Sequence, residues 1–394
     1  MSQWKLAWSY VPIDGNCSMG TLQNMTQRAT LRNNLCGSQI KIKFMNLYHT
    51  EPMHLAHVTV AKKNRTSGSI SDWKTVTCQD EQKITIAPGA NFYSDAVECI
   101  ITPEEDFVIS IYFKEPTDVR TYCQTWCAQS WQSALGPDDQ TESAFFSETD
   151  VYEVYPSAPR NMYKNQILTG FCNIAVYTEE DVKTLALFGD SITHMSFYSD
   201  PLMESLYQQH PGTLTILNGG ISGNRIAADV PYLEPMPGQG KSMGEAGCVR
   251  LARDMYADTT PDILFLMEGV NDCTHSFAFD EKRLPTGQSL WNALKQAVDF
   301  AHSKGTTVYM TTVMPFGCYD MPWREEAEAI RQDLNRLLRA EHPADDIIDL
   351  DEIMRNPEDI HFMKDGMHMG DGVHPSQEGG KVIANALLNK WFRT

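Results

Sequence analysis

Between residue 1 and about residue 178 the apolar positions recur every second residue. Ile40, Ile42 and Phe44 alternate with Lys41 and Lys43, and Phe107, Ile109, Ile111 and Phe113 alternate with Val108, Ser110 and Tyr112. A shorter run, Ile84-Thr85-Ile86, ends at the turn pair Pro88-Gly89. A period of two sends successive side chains to opposite faces of an extended chain. Short runs of this kind, closed by turn residues and without a long helical stripe, predict an antiparallel β-sandwich of jelly-roll-like type over 1–178.

From about residue 179 to 394 the pattern changes. Continuous apolar runs appear at Leu185-Ala186-Leu187-Phe188, Leu214-Thr215-Ile216-Leu217, Ile263-Leu264-Phe265-Leu266-Met267, Val308-Tyr309-Met310 and Ile347-Ile348-Asp349-Leu350. A strand covered on both faces needs such a run. Between them lie stripes spaced for helices. Leu290, Leu294, Ala297 and Ala301 precede Gly305; Ile330, Leu334, Leu337 and Leu338 precede Pro343; Val382, Ile383, Leu387 and Leu388 mark a last helix at about 376–391. Five strand–helix units in a row predict an α/β domain, a parallel sheet covered by helices on both faces.

Composition narrows the classes. The chain has 394 residues, 42% hydrophobic and 21% charged, ordinary for a globular protein. No apolar run approaches the roughly 20 residues of a membrane span, so no membrane partner is expected. With 51 acidic against 32 basic side chains the net charge is −19, which disfavours binding to phosphate backbones. Ten cysteines are too dilute for a disulfide scaffold, and the closest pair, Cys123 and Cys127, lacks neighbours that would complete a zinc site. The first residues show no charged head, apolar core or cleavage site of a secretory leader, so reduced thiols and a cytoplasmic location are expected.

In an open parallel sheet the ligand lies beyond the carboxyl ends of the strands. Four blocks occupy those places: Gly189-Asp190-Ser191-Ile192, Asn218-Gly219-Gly220-Ile221-Ser222-Gly223-Asn224-Arg225, Glu268-Gly269-Val270-Asn271-Asp272, and Asp371-Gly372-Val373-His374-Pro375-Ser376. In this order they resemble the GDSL, or SGNH, hydrolase family. The resemblance extends to the branch whose catalytic domain follows an amino-terminal β-sandwich, through Gln39–Asn46 and Pro88-Gly89-Ala90. It implies a three-layer αβα, flavodoxin-like domain with strand order 2-1-3-4-5.

The resemblance also implies roles. Ser191 is the nucleophile, His374 the general base and Asp371 its orienting carboxylate. The Ser191 N–H, the Gly220 N–H and the Asn271 amide form the oxyanion hole. A serine hydroxyl is a poor nucleophile until an imidazole takes its proton, and clustered donors stabilise the tetrahedral oxyanion. No Gly-x-Ser-x-Gly is present, unlike a typical α/β-hydrolase. Asp365-Gly366-Met367-His368 repeats the Asp-Gly-x-His spacing; Asp371 and His374 are preferred because Pro375-Ser376 and a helix follow directly.

Asp190, Arg225, Glu268 and His368 are candidate substrate contacts, although Arg225 also suits a loop anchor and Glu268 a buried structural partner. Tyr122, Trp126 and Trp131 suit either sugar stacking or packing. The Pro- and Gly-rich segment 226–246 is expected to border the cleft. The expected function is a serine esterase that removes short acyl groups, acetyl above all, from carbohydrate or oligosaccharide esters, with no cofactor or metal. The competing readings are an acyltransferase, thioesterase or lysophospholipase, and a non-enzymatic carbohydrate-binding protein on an inactive hydrolase fold. Assembly into a homo-oligomer stays open.

Overall fold

Alternation in the amino-terminal region resolves into antiparallel strands: β1 (Gln3–Ser9), β2 (Met25–Leu31), β3 (Gly37–Met45), β4 (His57–Asn64), β5 (Ile70–Thr75), β6 (Asn91–Tyr93), β7 (Val97–Ile101), β8 (Glu105–Phe113), β9 (Trp131–Pro137) and β10 (Phe171–Thr178). In this computed structural model, which describes residues 2–126, 129–158, 166–231, 233, 240–317 and 324–392, they form two five-stranded sheets. One has the order β1-β10-β3-β6, with β7 also on β3; the other runs β9-β2-β8-β4-β5. The late strand β10 returns to pair with β1, Gln3 opposite Thr178 and Ser9 opposite Asn173.

The period of two explains β3, where Ile40, Ile42 and Phe44 are fully buried and the intervening Lys41 and Lys43 are not. It does not explain β8. There Val108 and Ser110 are as buried as Phe107 and Ile109, because β8 lies between β2 and β4 and its second face is also covered. Arg28 of β2 donates from Nε to Ser110 Oγ at 2.9 Å, and its guanidinium lies against the rings of Trp73 and Phe146. A buried hydroxyl is tolerated when it is hydrogen-bonded in this way.

The apolar runs downstream become β11 (Lys183–Gly189), β12 (Leu214–Gly220), β13 (Ile263–Met267), β14 (Thr307–Thr311) and β15 (Asp346–Ile348). Their order is β12-β11-β13-β14-β15, the expected 2-1-3-4-5, with β11, β13, β14 and β15 paired in parallel. The helices are α1 (Ser191–His194), α2 (Ser199–Gln209), α3 (Gly247–Tyr256), α4 (Val270–Ala278), α5 (Gly287–Ser303), α6 (Arg324–Ala340), α7 (Leu350–Met354) and α8 (Gln377–Trp391). In α5 Leu290, Leu294, Ala297 and Ala301 are buried, a Thr286–Ser289 capping box opens the helix, and Gly305 with φ +81° follows its end. The last strand is shorter than its apolar run. Asp349 accepts from the Glu352 N–H and caps α7, so Leu350 turns into a helix instead of extending β15.

By internal contacts the chain divides into two units: Met1–Lys183 with Leu206–Leu217 and Leu233–Ser242, and Thr184–Ser205 with Asn218–Tyr232 and Met243–Thr394. Among the described residues no helix is long and apolar enough to cross a membrane.

Candidate active site

The first block sits where β11 runs out. Gly189 ends the strand, and the Asp190 side chain accepts the Ile192 N–H at 2.9 Å, capping α1. Ser191 therefore opens a helix at the carboxyl edge of the sheet. On the far side of the sequence, Gly372 with φ +75° lets the chain turn tightly between Asp371 and His374. Asp371 Oδ1 accepts the N–H groups of Val373 and His374, each at 3.0 Å, which fixes the carboxylate inside its own turn. Ser376 then caps α8 by accepting from the Gly379 N–H at 3.1 Å.

These two ends meet. Ser191 Oγ lies 2.7 Å from His374 Nε2, and His374 Nδ1 lies 2.6 Å from Asp371 Oδ2. Burial alone would raise the Asp371 carboxyl, but the hydrogen bond and charge of His374, with the two N–H groups of its turn, outweigh it and hold the carboxyl down at about 2. An ionised carboxylate only accepts, so Nδ1 carries the imidazole hydrogen and Nε2 turns its lone pair to Ser191. Ser191 Oγ then donates to Nε2, the arrangement in which a serine hydroxyl passes its proton to a neighbouring base.

The oxyanion donors come out differently from the expectation. Gly220 is the last residue of β12, and its N–H donates to Asn218 Oδ1 at 2.9 Å. That donor is already used. Gly220 is glycine for another reason: a Cβ there would stand 2.3 Å from the His194 backbone nitrogen of α1. The free glycine of this loop is Gly223. It holds φ +79°, and among the described residues neither its N–H nor that of Ser191 donates to another protein group. Asn271 Nδ2 gives one hydrogen to the Asn224 carbonyl at 2.9 Å, which aims the amide at this loop and leaves its second hydrogen available.

The four candidate substrate contacts are occupied structurally. Asp190 is 1% exposed and serves as the α1 cap. Glu268, buried, pairs through Oε1 with Arg250 at 3.3 Å. Arg225, also buried, donates to Glu281 Oε1 at 2.8 Å, to Ser276 Oγ at 3.4 Å and to the Asp229 carbonyl. His368 Nδ1 accepts the N–H groups of Gly370 and Gly372, each at 3.1 Å, so it shapes the loop that presents Asp371. The first three are thus held by protein partners, Asp190 as a helix cap and Glu268 and Arg225 in ion pairs. Tyr122 and Trp131 are 1% exposed and pack in the first unit, Trp131 edge-on to Trp8 and Tyr10, so neither stacks on a sugar. Cys127 and, within 226–246, residues 232 and 234–239 lie outside the described residues.

Residues 187–382 match the family model described as the GDSL-like lipase/acylhydrolase family. Residues 187–382 thus form a domain of that family. Solved structures similar to the chain include an acetyl xylan esterase, at 18% identity over 53% of this chain and 100% of that one, TM-score 0.40. Others are a catalytic mutant of an acetylxylan esterase from Geobacillus stearothermophilus (17%, 54% and 95%, TM-score 0.39) and a GDSL-like lipase from Bacteroides thetaiotaomicron (16%, 52% and 86%, TM-score 0.37). No curated protein matches the chain.

Three further features of the GDSL-like domain brace the site. Asp272 reaches across from α4 to accept the N–H groups of Ile226 and Ala227 at 2.8 and 2.9 Å, pinning the loop after β12. Burial pushes its carboxyl up to about 6, although those N–H groups and Arg225 work against the rise. Ser222 Oγ and N both lie within hydrogen-bond distance of His194 Nδ1, at 2.7 and 3.2 Å, tying the same loop to α1. Arg250 of α3, fully buried, joins several of these pieces at once. Among the described residues no group of three His, Cys, Asp or Glu side chains stands close enough to share a metal ion.

Proposed function

We propose that the protein is a serine esterase that hydrolyses short acyl esters, acetyl above all, of carbohydrates or oligosaccharides through an acyl-enzyme on Ser191. The observation that carries the reading is the continuous relay from Ser191 Oγ through His374 to the ionised Asp371. In the first step Ser191 Oγ bonds to the ester carbonyl carbon while His374 Nε2 takes its proton. The carbonyl oxygen becomes an oxyanion, and we assign its donors as the Ser191 N–H, the Gly223 N–H and the second hydrogen of Asn271 Nδ2. Collapse breaks the bond to the sugar oxygen, which leaves with the proton held by His374. A water then gives one proton to His374 as it attacks the acyl carbon; the bond to Ser191 Oγ breaks, His374 returns that proton to Oγ, and the carboxylic acid leaves and ionises in solvent.

Support for a short acyl group is steric. A recess beside the relay is lined by Ile192, Val270 and Val373, the sequence neighbours of Ser191, Asn271 and His374, together with Met267, Val313 and the carboxyl-bearing Asp190 and Glu268. It has about 10 Å³ open to the centre of a water-sized sphere, about what one water molecule needs and far less than a fatty chain would require.

The test is to treat mixtures of acetylated oligosaccharides and a series of p-nitrophenyl esters from acetate to decanoate with wild type and Ser191→Ala. Loss of acetyl groups from the sugars, seen by mass spectrometry with wild type alone, is the expected result. A preference for long esters with no acetate released from sugars would instead favour the thioesterase or lysophospholipase reading. Equal, slow turnover by both proteins would leave a binding protein on an inactive fold.

A further inference from the structure

Arg250 lies in α3 and exposes no part of its side chain, yet it is not a surface cation folded inward by accident. Its Nε donates to Asn224 Oδ1 at 2.7 Å. Nη1 donates to the Gly219 carbonyl at 2.9 Å and to Asp254 Oδ2 at 3.1 Å. Nη2 donates to the Gly189 carbonyl at 2.9 Å and to Glu268 Oε1 at 3.3 Å. The guanidinium also lies 3.9 Å over the Phe188 ring. All five N–H groups of the side chain are thereby engaged.

The partners matter more than their number. Gly189 ends β11 two residues before Ser191. Gly219 lies in β12, which feeds the loop of Gly223, and Asn224 is the residue after Gly223. Glu268 follows β13 three residues before Asn271, and the Asn224 backbone carbonyl receives the Asn271 amide. One planar group thus touches each of the three chain segments that deliver the assigned oxyanion donors. A buried ion pair contributes little net stability, because desolvating the charges offsets their attraction, so stability alone is a poor reason for a cation here.

We infer that Arg250 is the positioning residue of the oxyanion hole: its guanidinium fork sets the spacing between the segments carrying Ser191, Gly223 and Asn271. It touches no substrate and acts through Asn224 and the two strand-end carbonyls. Lysine cannot replace it, since one ammonium is a compact point donor and cannot span the directions of Asn224 Oδ1, Gly219 O and Gly189 O together. The inference rests on the esterase reading and deepens it.

The experiment compares wild type, Arg250→Lys, Asn271→Ala and the double variant in hydrolysis of p-nitrophenyl acetate, in melting temperature and in the rate at which a fluorophosphonate labels Ser191. Arg331→Lys serves as a control, because Arg331 is equally buried but donates to Glu328, Asp351 and the Val313 and Ile360 carbonyls, none of them in the segments of Ser191, Gly223 or Asn271. Arg250→Lys should lower kcat and the labelling rate by roughly 10- to 100-fold with KM little changed, as expected when transition-state donors are misplaced. In the Asn271→Ala background the same substitution should cost clearly less, because both changes act on one oxyanion. Arg331→Lys should lower the melting temperature and leave kcat near wild type. If Arg250→Lys does not fold, Arg250→Gln, which is shorter and keeps two N–H donors without the charge, should show the same kcat loss and coupling.

Labelling of Arg250→Lys at the wild-type rate, or an undiminished loss in the Asn271→Ala background, would overturn the inference while leaving the esterase reading intact. Failure of wild type to label at Ser191 or to hydrolyse any ester would remove that reading, and the role of Arg250 with it.

Discussion

Each residue of the relay does work the others cannot, and substitutions should separate them. Ser191→Ala and His374→Ala should reduce kcat on p-nitrophenyl acetate by about 10³-fold or more, with folding retained by circular dichroism, because either removes nucleophile or base outright. Asp371→Asn should be milder than both, since Ser191 and His374 remain in contact. If Asn271 is the proposed oxyanion donor, Asn271→Ala should lower kcat by roughly 10²-fold and change KM much less, because the charge it would meet exists only as the oxyanion forms. An equal rise in KM would instead mark Asn271 as an ordinary substrate contact. The residue scale is also where the sequence was least legible. Gly220 and Gly223 both suit a donor loop, and only the direction of the Asn218 side chain decides between them. Arg250 and Asp254 look like a surface i,i+4 pair. The available signal was position, for Arg250 shares a helix face with the buried Gly247, Leu251 and Met255.

Elements carry the site by ending in the right places. The five parallel strands were readable because burial on both faces demands unbroken apolar runs, and the helices because Gly305 and the residues before Pro343 mark their ends. The polar side of β8 was not readable, since what covers it comes from Arg28, Trp73 and Phe146, distant in sequence. At the active site the critical contacts between elements are close approaches of backbone. Gly220→Ala would drive a Cβ into the His194 nitrogen and push α1, with Ser191, away from β12. Both melting temperature and kcat should fall together. Ser376→Ala, by contrast, removes the α8 cap at a cost of about 1 kcal/mol and should lower the melting temperature while leaving kcat close to wild type. A large kcat loss there would mean that α8 itself positions His374.

At the scale of the whole molecule, the buried carboxyls under the site make stability depend on pH in two opposed ways. Burial, before any other influence, pushes Asp190 from 3.8 up to about 7; the Ile192 N–H, His374 and Arg250 oppose the rise and Asp272 adds to it. Glu268 is pushed up as well, by burial and by Asp190, against the pull of Arg250. Between about 4 and about 7 the folded protein therefore keeps protons that the unfolded chain has released, and stability falls as pH rises through that window. Asp371, held at about 2, acts with the opposite sign and adds stability as pH rises from about 2 to the ordinary carboxylate range. Asp190→Asn keeps an acceptor for the α1 cap but cannot titrate. Its urea midpoint should fall less steeply than that of wild type between pH values of about 4 and 7. An unchanged slope would show that Asp190 ionises without penalty.

The most direct test of the central claim is to stop the reaction with p-nitrophenyl acetate within its first turnovers and weigh the intact protein and its peptides. The account predicts a transient gain of one acetyl group on the peptide containing Ser191, formed by wild type and absent from Ser191→Ala. Full-speed hydrolysis by Ser191→Ala, or turnover by wild type with acetyl found on another residue, would contradict it.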